Sequence, residues 1–343
     1  MTERSALERI GRPVGRLIVS LVLTFFGLLL VTFIIGRVMP IDPALAALGD
    51  RAPADVVDRF REEMGLNLPL WQQFFIYVQK VFEGDFGRSV LSSRPVLEDI
   101  ARVFPATLEL ATVATLLGVA TGVPMGVVAA VYQGRWPDHV IRVVGLFGYS
   151  VPVFWLGLVG LLVFYAKLDL VPGPGRINVA FMDFVDPITG VLVIDAMLQG
   201  EWEAAVSAAR HLILPSTILA YFSLAYISRM TRSFMIEQLK QEYIVTARVK
   251  GASEARVIWR HALGNVAVPL TTVITLSYAN LLEGSVLTET VFAWPGLGRY
   301  ITDSLLNADM NAVLGGTIVV GAIFVTLNLV ADVLYRALDP RAR

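Results

Sequence analysis

The 343-residue chain contains no cysteine, which excludes disulfides, thiolate metal sites, cysteine nucleophiles and a lipid-bearing N-terminal cysteine. Charge is also scarce. Asp, Glu, Lys and Arg make up 17% of the residues, where soluble domains carry about 25%. The net charge of −1 argues neither for nor against a nucleic-acid partner, and none is expected. No G-x-x-x-x-G-K-[ST] occurs, so the chain has no P-loop for ATP. His139, His211 and His261 stand alone, without metal-ligand spacing. Ser150 has no histidine within its own apolar run, and none deeper than the edge of another, to act as its base, so it reads as a packing serine. No catalytic site assembles from these residues, and the chain is expected not to be an enzyme.

What is abundant is apolar. Hydrophobic residues make up 55% and the mean hydropathy is +0.65. Six runs, near 17–36, 104–131, 143–166, 211–229, 266–288 and 312–335, approach or exceed the roughly 20 residues a helix needs to cross a bilayer. The fold class is therefore an all-α membrane protein with six transmembrane helices. VLVIDAML (191–198) is far too short to span. Pro124 and Pro152 read as kinks inside their runs.

With the N-terminus inside, fifteen of the 28 Lys and Arg fall in the N-terminal tail, 132–142, 230–265 and the C-terminal tail. The opposite side is about twice as long and holds fewer, so both termini are expected to be cytoplasmic. Ala44-Leu45-Ala46 offers a cleavage-like site, but it lies too far beyond an apolar run too long for a signal peptide. The first run is read as an uncleaved helix. The chain divides into 1–36, an N-terminus with the first helix; 37–103, an extracytoplasmic helical segment; and 104–343, a five-helix core. In 37–103, Val56, Val57, Phe60 and Met64 share one helical face that closes at Gly65. Pro69 can open a second helix with Leu70, Phe74, Val78 and Val81 on its apolar face, so the segment reads as a small helical cap. The second outer segment, 167–210, turns at VPGPG and can form a helix over 195–209.

A charged stretch with a glycine in its middle, EYIVTARVKGASEARVIWRHALGN (242–265), lies between two apolar runs within the loop 233–265. Residues 233–249 are expected to continue the fourth span, with Ile236, Leu239, Tyr243 and Ala247 along one stripe. Gly251 suits a left-handed C′ position, and Ser253 an N-cap. A short second helix, 254–263, would bear Val257, Ile258, Trp259 and Leu263 among Arg256, Arg260 and His261, with the aromatic and the basic residues on show and Pro269 opening the next span. Three uses fit: a helix lying on anionic membrane lipid, a solvated connector, or a docking helix with a tryptophan anchor.

This stretch resembles the EAA-type loop of binding-protein-dependent ABC importer permeases of the dipeptide/oligopeptide class. Glu242, Ala247, Gly251, His261, Ala262, Asn265 and Pro269 fall at that family's motif positions. GDFGRSV (84–90), FPATLELA (104–111), DPITGVLVIDAML (186–198), HLILPSTIL (211–219), ETVFAWPGLG (289–298) and the terminal YRALDPRAR match it in the same order. One departure is that Gln241-Glu242-Tyr243 stands in place of a literal Glu-Ala-Ala. The resemblance implies a type I permease fold in a bacterial inner membrane. It also implies a second homologous permease subunit, two ATP-binding subunits that carry the ATP and Mg, and an extracytoplasmic solute-binding protein. It makes Glu242, Ala247, Gly251, Ser253, Val257, Trp259, Arg260 and His261 the ATPase-docking residues. Relatives carry dipeptides, oligopeptides, nickel chelates, glutathione, opines or sugars. A self-sufficient ion-coupled secondary transporter is the competing class, but no inverted halves are visible.

Glu109 and Glu283 are two carboxylates within apolar runs near their outer ends. Each lies five to six residues from the outer end of its run, roughly 8–9 Å deep at 1.5 Å per residue. Such groups seldom face lipid, so both are candidates for lining a translocation path.

Overall fold

The computed structural model describes residues 19, 21–36, 52–63, 65 and 67–338. The expectations for the N-terminal tail, the Ala44–Ala46 region, Met64 and the terminal DPRAR lie outside the described residues. Among those described, the chain is α-helical with no strand; Arg88 and Pro95 form one isolated bridge.

Four helices are long and apolar enough to cross a bilayer: α4 (Val96–Val131), α8 (Trp202–Leu239), α10 (Glu254–Gly284) and α13 (Met310–Leu338). A shorter apolar helix, α1 (Leu21–Gly36), covers the described part of the first run. The third expected span is not one rod. It is α5 (Trp136–Ser150) followed by α6 (Val153–Gly160) and a π-helical turn to Lys167, bent by 99° at the junction. Proline explains the break: it disfavours the helical region for the residue before it. Val151 accordingly lies at φ −96°, ψ 126°, ahead of Pro152. Pro105, Pro124, Pro215 and Pro269 are all absorbed within continuous helices. The expectation that Pro124 and Pro152 act alike is therefore corrected.

Boundaries shift too. α4 starts at Val96, and α8 at Trp202, absorbing most of the helix expected over 195–209. Gly200, at φ +79°, separates α8 from the short α7 (Leu192–Leu198). At 38 residues, α8 is about 57 Å long, well beyond the roughly 30 Å of a hydrocarbon core.

The chain forms two compact units, residues 1–102 with 300–326 and residues 103–299 with 327–343. In the first, α2 (Ala54–Glu63) and α3 (Leu70–Phe82) precede a turn, Gly84–Pro95, that is tied down by a buried aspartate. Ser89 Oγ donates to Asp309 Oδ2 at 2.6 Å, and Asp309 is fully buried. In the second unit α4, α8 and α10 share a core of Val127, Ile227, Met235, Val266 and Leu270. Close approach there requires glycine: a Cβ on Gly126 would fall 2.6 Å from the Ser228 carbonyl oxygen.

Candidate functional site

The loop singled out in the sequence lies between α8 and α10. α8 ends at Leu239, so the helix expected to run unbroken to 249 is interrupted at Lys240–Gln241, and α9 (Glu242–Val249) starts afresh. Its end is a Schellman turn. Gly251 N donates to Arg248 O (2.9 Å) and Ala252 N to Ala247 O (3.1 Å), with Gly251 at φ +81°. A Cβ at Gly251 would meet nothing within 4 Å, so only backbone conformation demands glycine there. Ser253 occupies the N-cap position at φ −63°, ψ 148°, but its side chain makes no capping bond. Arg248 instead clasps the turn, its Nε donating to Glu254 Oε1 at 2.8 Å and its Nη2 to Glu254 Oε2 at 3.2 Å.

The helix after this turn is not the free-standing 254–263 element expected. It continues through a π-helical segment, Val257–Ala262, into the span as far as Gly284. Pro269 lies inside it and so opens nothing. Membrane helices tolerate a proline's missing N–H. At the π-helical turn that precedes Pro269, Asn265 Nδ2 donates to the His261 carbonyl at 2.9 Å.

Burial then sorts the eight proposed docking residues. Val257 is fully buried with Ile244 and Ala262 in the shared core, so it anchors the loop and does not stand on its surface. Of the eight, Val257 is the one that is turned fully inward. Ala247 and His261 are half-buried, while Glu242, Gly251, Ser253, Trp259 and Arg260 are exposed. Trp259 leaves half its surface free (49%), and Tyr243, Val245 and Val249 are exposed as well. The loop thus has buried anchors and exposed aromatic and aliphatic side chains.

A second brace was not visible from the residues alone. Asp138, at the start of α5 and outside the apolar run 143–166, is 1% exposed. It accepts from Arg232 Nε (2.7 Å) and Nη2 (2.8 Å) of α8 and from Gly134 N (2.9 Å), with Arg142 at 3.5 Å. The Arg232 hydrogen bonds hold its carboxyl down, from 3.8 to about 2, against the opposing effect of burial. Two opposite charges flanking apolar runs were the available sequence signal, but nothing in the spacing says that they meet.

The two path candidates part company. Glu109 is buried and fully engaged: Arg176 Nε and Nη2 donate to it at 2.9 and 2.5 Å, and Val193 N at 3.3 Å. Arg176 also donates to Gly190 O at 2.7 Å and lies 5.7 Å from the Trp294 ring centroid. Asp195 closes the same turn, accepting from the backbone of Ile188, Thr189 and Gly190. Burial of Asp195 works against its charge, but the Thr189 hydroxyl and these amides outweigh it and keep the carboxyl below its usual range. Glu109 therefore ties the 172–193 segment to α4. Glu283, by contrast, is exposed at the last turn of α10 and makes no hydrogen bond among the described residues. A further buried carboxylate was missed: Glu289 in α11 (Val286–Val291) accepts from Thr107 Oγ1 (2.7 Å), Ser285 Oγ (3.0 Å) and Arg299 N (3.0 Å). It organises the FAWPGLG loop from beneath, while Trp294 Nε1 donates to Ala106 O at 2.9 Å.

Comparison with known proteins agrees with this architecture. The family described as "Binding-protein-dependent transport system inner membrane component" matches residues 122–343, and its N-terminal counterpart matches 10–111. The chain is 44% identical to the probable D,D-dipeptide transport system permease protein DdpB of Escherichia coli K12, covering 94% of each protein. It is 41% identical to the dipeptide transport system permease protein DppB of the same strain, over 93% of this chain and 95% of that one. With the di/tripeptide permease DppB of Pseudomonas aeruginosa the identity is 39% over 98% and 99%. An inward-facing structure of the MetNI methionine ABC transporter shares the fold, with a TM-score of 0.52 over 70% of this chain and 96% of that chain at 18% identity. The chain belongs to the family of binding-protein-dependent transport system inner membrane components and has the type I ABC importer permease fold.

Proposed function

We propose that this chain is the permease subunit of an ATP-driven importer for small peptides, and that a separate ATPase docks on the 242–265 turn and helix. The observation that carries this is the loop's division into buried anchors and open side chains. Ile244, Val257 and Ala262 fasten it to the core, while Trp259, Tyr243, Val245 and Val249 stay open. A Schellman turn and an Arg248–Glu254 clasp hold that surface in one shape, as a protein groove requires and a lipid surface does not. In this reading the loop is cytoplasmic and both termini are inside, in keeping with the Lys and Arg on that side. A second homologous permease completes the path. Two ATP-binding subunits bring ATP and Mg, and an extracytoplasmic solute-binding protein delivers the substrate. The names of the relatives, which specify dipeptides, D,D-dipeptides and di/tripeptides, support peptides of about two or three residues as cargo.

The absence of cysteine makes the test direct, because single cysteines can be added without background. Val245→Cys and Val249→Cys, carrying a benzophenone probe, are expected to photocrosslink to the co-expressed ATPase subunit in the assembled complex. Adducts confined to lipid at both positions would sink the docking reading and leave an interfacial helix.

Glu283 is the remaining carboxylate for the path. Its exposure at the end of α10 supports contact with a positively charged group such as a peptide amino terminus. Glu283→Gln keeps the shape and removes the charge, so uptake of cationic peptides should fall more than uptake of neutral or anionic ones. An equal effect on all three, measured in whole-cell uptake, rejects the role.

A further inference from the structure

α3 has two apolar faces, and only one of them is used. On the first, Phe74 meets Phe26 and Phe33 of α1 edge-on at 5.8 and 5.3 Å, and Tyr77 OH shares a 2.8 Å hydrogen bond with Thr32 Oγ1. On the second, Trp71, Phe75 and Phe82 are 62%, 66% and 82% exposed. At 100° per residue these three lie within about 40° of one another around the axis. Lys80, the one charged residue of α3, lies on the opposite side of that axis.

Depth identifies what covers this face. Phe26 precedes Gly36, the end of α1, by ten residues, or about 15 Å along the helix, which is half of a hydrocarbon core. A ring in contact with Phe26 therefore lies beside the bilayer-crossing part of α1 and not beyond its end. The exposed side of α1 next to it is itself apolar, with Val22, Leu23, Phe26 and Val31 open. The Trp71–Phe75–Phe82 face is thus continuous with a surface that must meet acyl chains.

We propose that α3 is a membrane-embedded interfacial helix whose Trp71, Phe75 and Phe82 side chains sit in lipid, rather than part of a cap standing in water. A tryptophan and two phenylalanines on one uncharged face suit the boundary between headgroups and acyl chains. The helix then anchors the segment between the first two spans at a fixed depth.

The test uses the assembled transporter in vesicles of phosphatidylethanolamine and phosphatidylglycerol. Trp71→Cys, Phe75→Cys and Phe82→Cys are made separately and spin-labelled, so one variant that fails to assemble leaves two others. Each label is expected to be broadened by oxygen and to lose broadening by a water-soluble nickel chelate. Bromolipids should likewise quench a bimane placed at the same positions. Broadening by the chelate would mean that the face is hydrated, and the proposal fails. Labels immobilised and shielded from both agents would show a protein covering it, a second copy of this chain or another subunit, and overturn it equally.

Discussion

Trp259→Ala is expected to weaken attachment of the ATPase by about 30-fold or more, the equivalent of roughly 2 kcal/mol for a tryptophan lost from the centre of a docked surface. Half of this ring is already free of the chain's own core, so its removal leaves the buried anchors Ile244, Val257 and Ala262 undisturbed. The permease should still fold and insert, while the ATPase no longer co-purifies and receptor-stimulated ATP hydrolysis is lost. Gly251→Val probes the same coupling by another route. Space is open around its Cβ, so the cost is the left-handed backbone alone, about 1–2 kcal/mol, and the effect is to re-aim the helix that carries Trp259. Normal stimulated turnover in both variants would remove the loop from the docking surface.

Asp138→Ala should be the most damaging single change to the stability of the long helices. It strands Arg232, which keeps only 23% of its side-chain surface. Breaking one side of a buried pair costs about 3–5 kcal/mol, and the partial exposure of Arg232 places this case toward the lower end. Unfolding of the purified protein in detergent, followed by intrinsic fluorescence, reads the loss directly. The double variant Asp138→Ala/Arg232→Ala should lose much less than the sum of the two singles, since no charge is left unpaired. Additive losses would show that the pair is not coupled. The pH dependence has a definite sign. The folded carboxyl is depressed from 3.8 to about 2, so its contribution is complete above about pH 4 and disappears only on acidification toward 2. Between pH 5 and 8 this pair should add no pH dependence to stability.

Local features of the residues were enough for part of this. Long apolar runs announced the spans because a bilayer offers the backbone no partner but itself, and the number of residues needed is set by its thickness. Gly251 was legible because a helix end followed by a left-handed residue is a property of a few neighbouring positions. The order of motifs from GDFGRSV to ETVFAWPGLG carried the family for the same reason, since it is written along the chain.

Where the outcome depended on what packs against a residue, only the tertiary structure decided it. Pro152 breaks its span whereas Pro269 disappears into one, although each is a proline within an apolar run. Val257 and Trp259, two positions apart, separate into anchor and exposed surface, since the π-helical turn aims them differently at the α4–α8–α10 core. Glu109 and Glu283 look alike as isolated carboxylates in apolar runs, yet one meets Arg176 from 67 positions away and the other meets nothing described. Pairings of that kind join residues far apart along the chain, and their energy exists only once folding has removed water from between them.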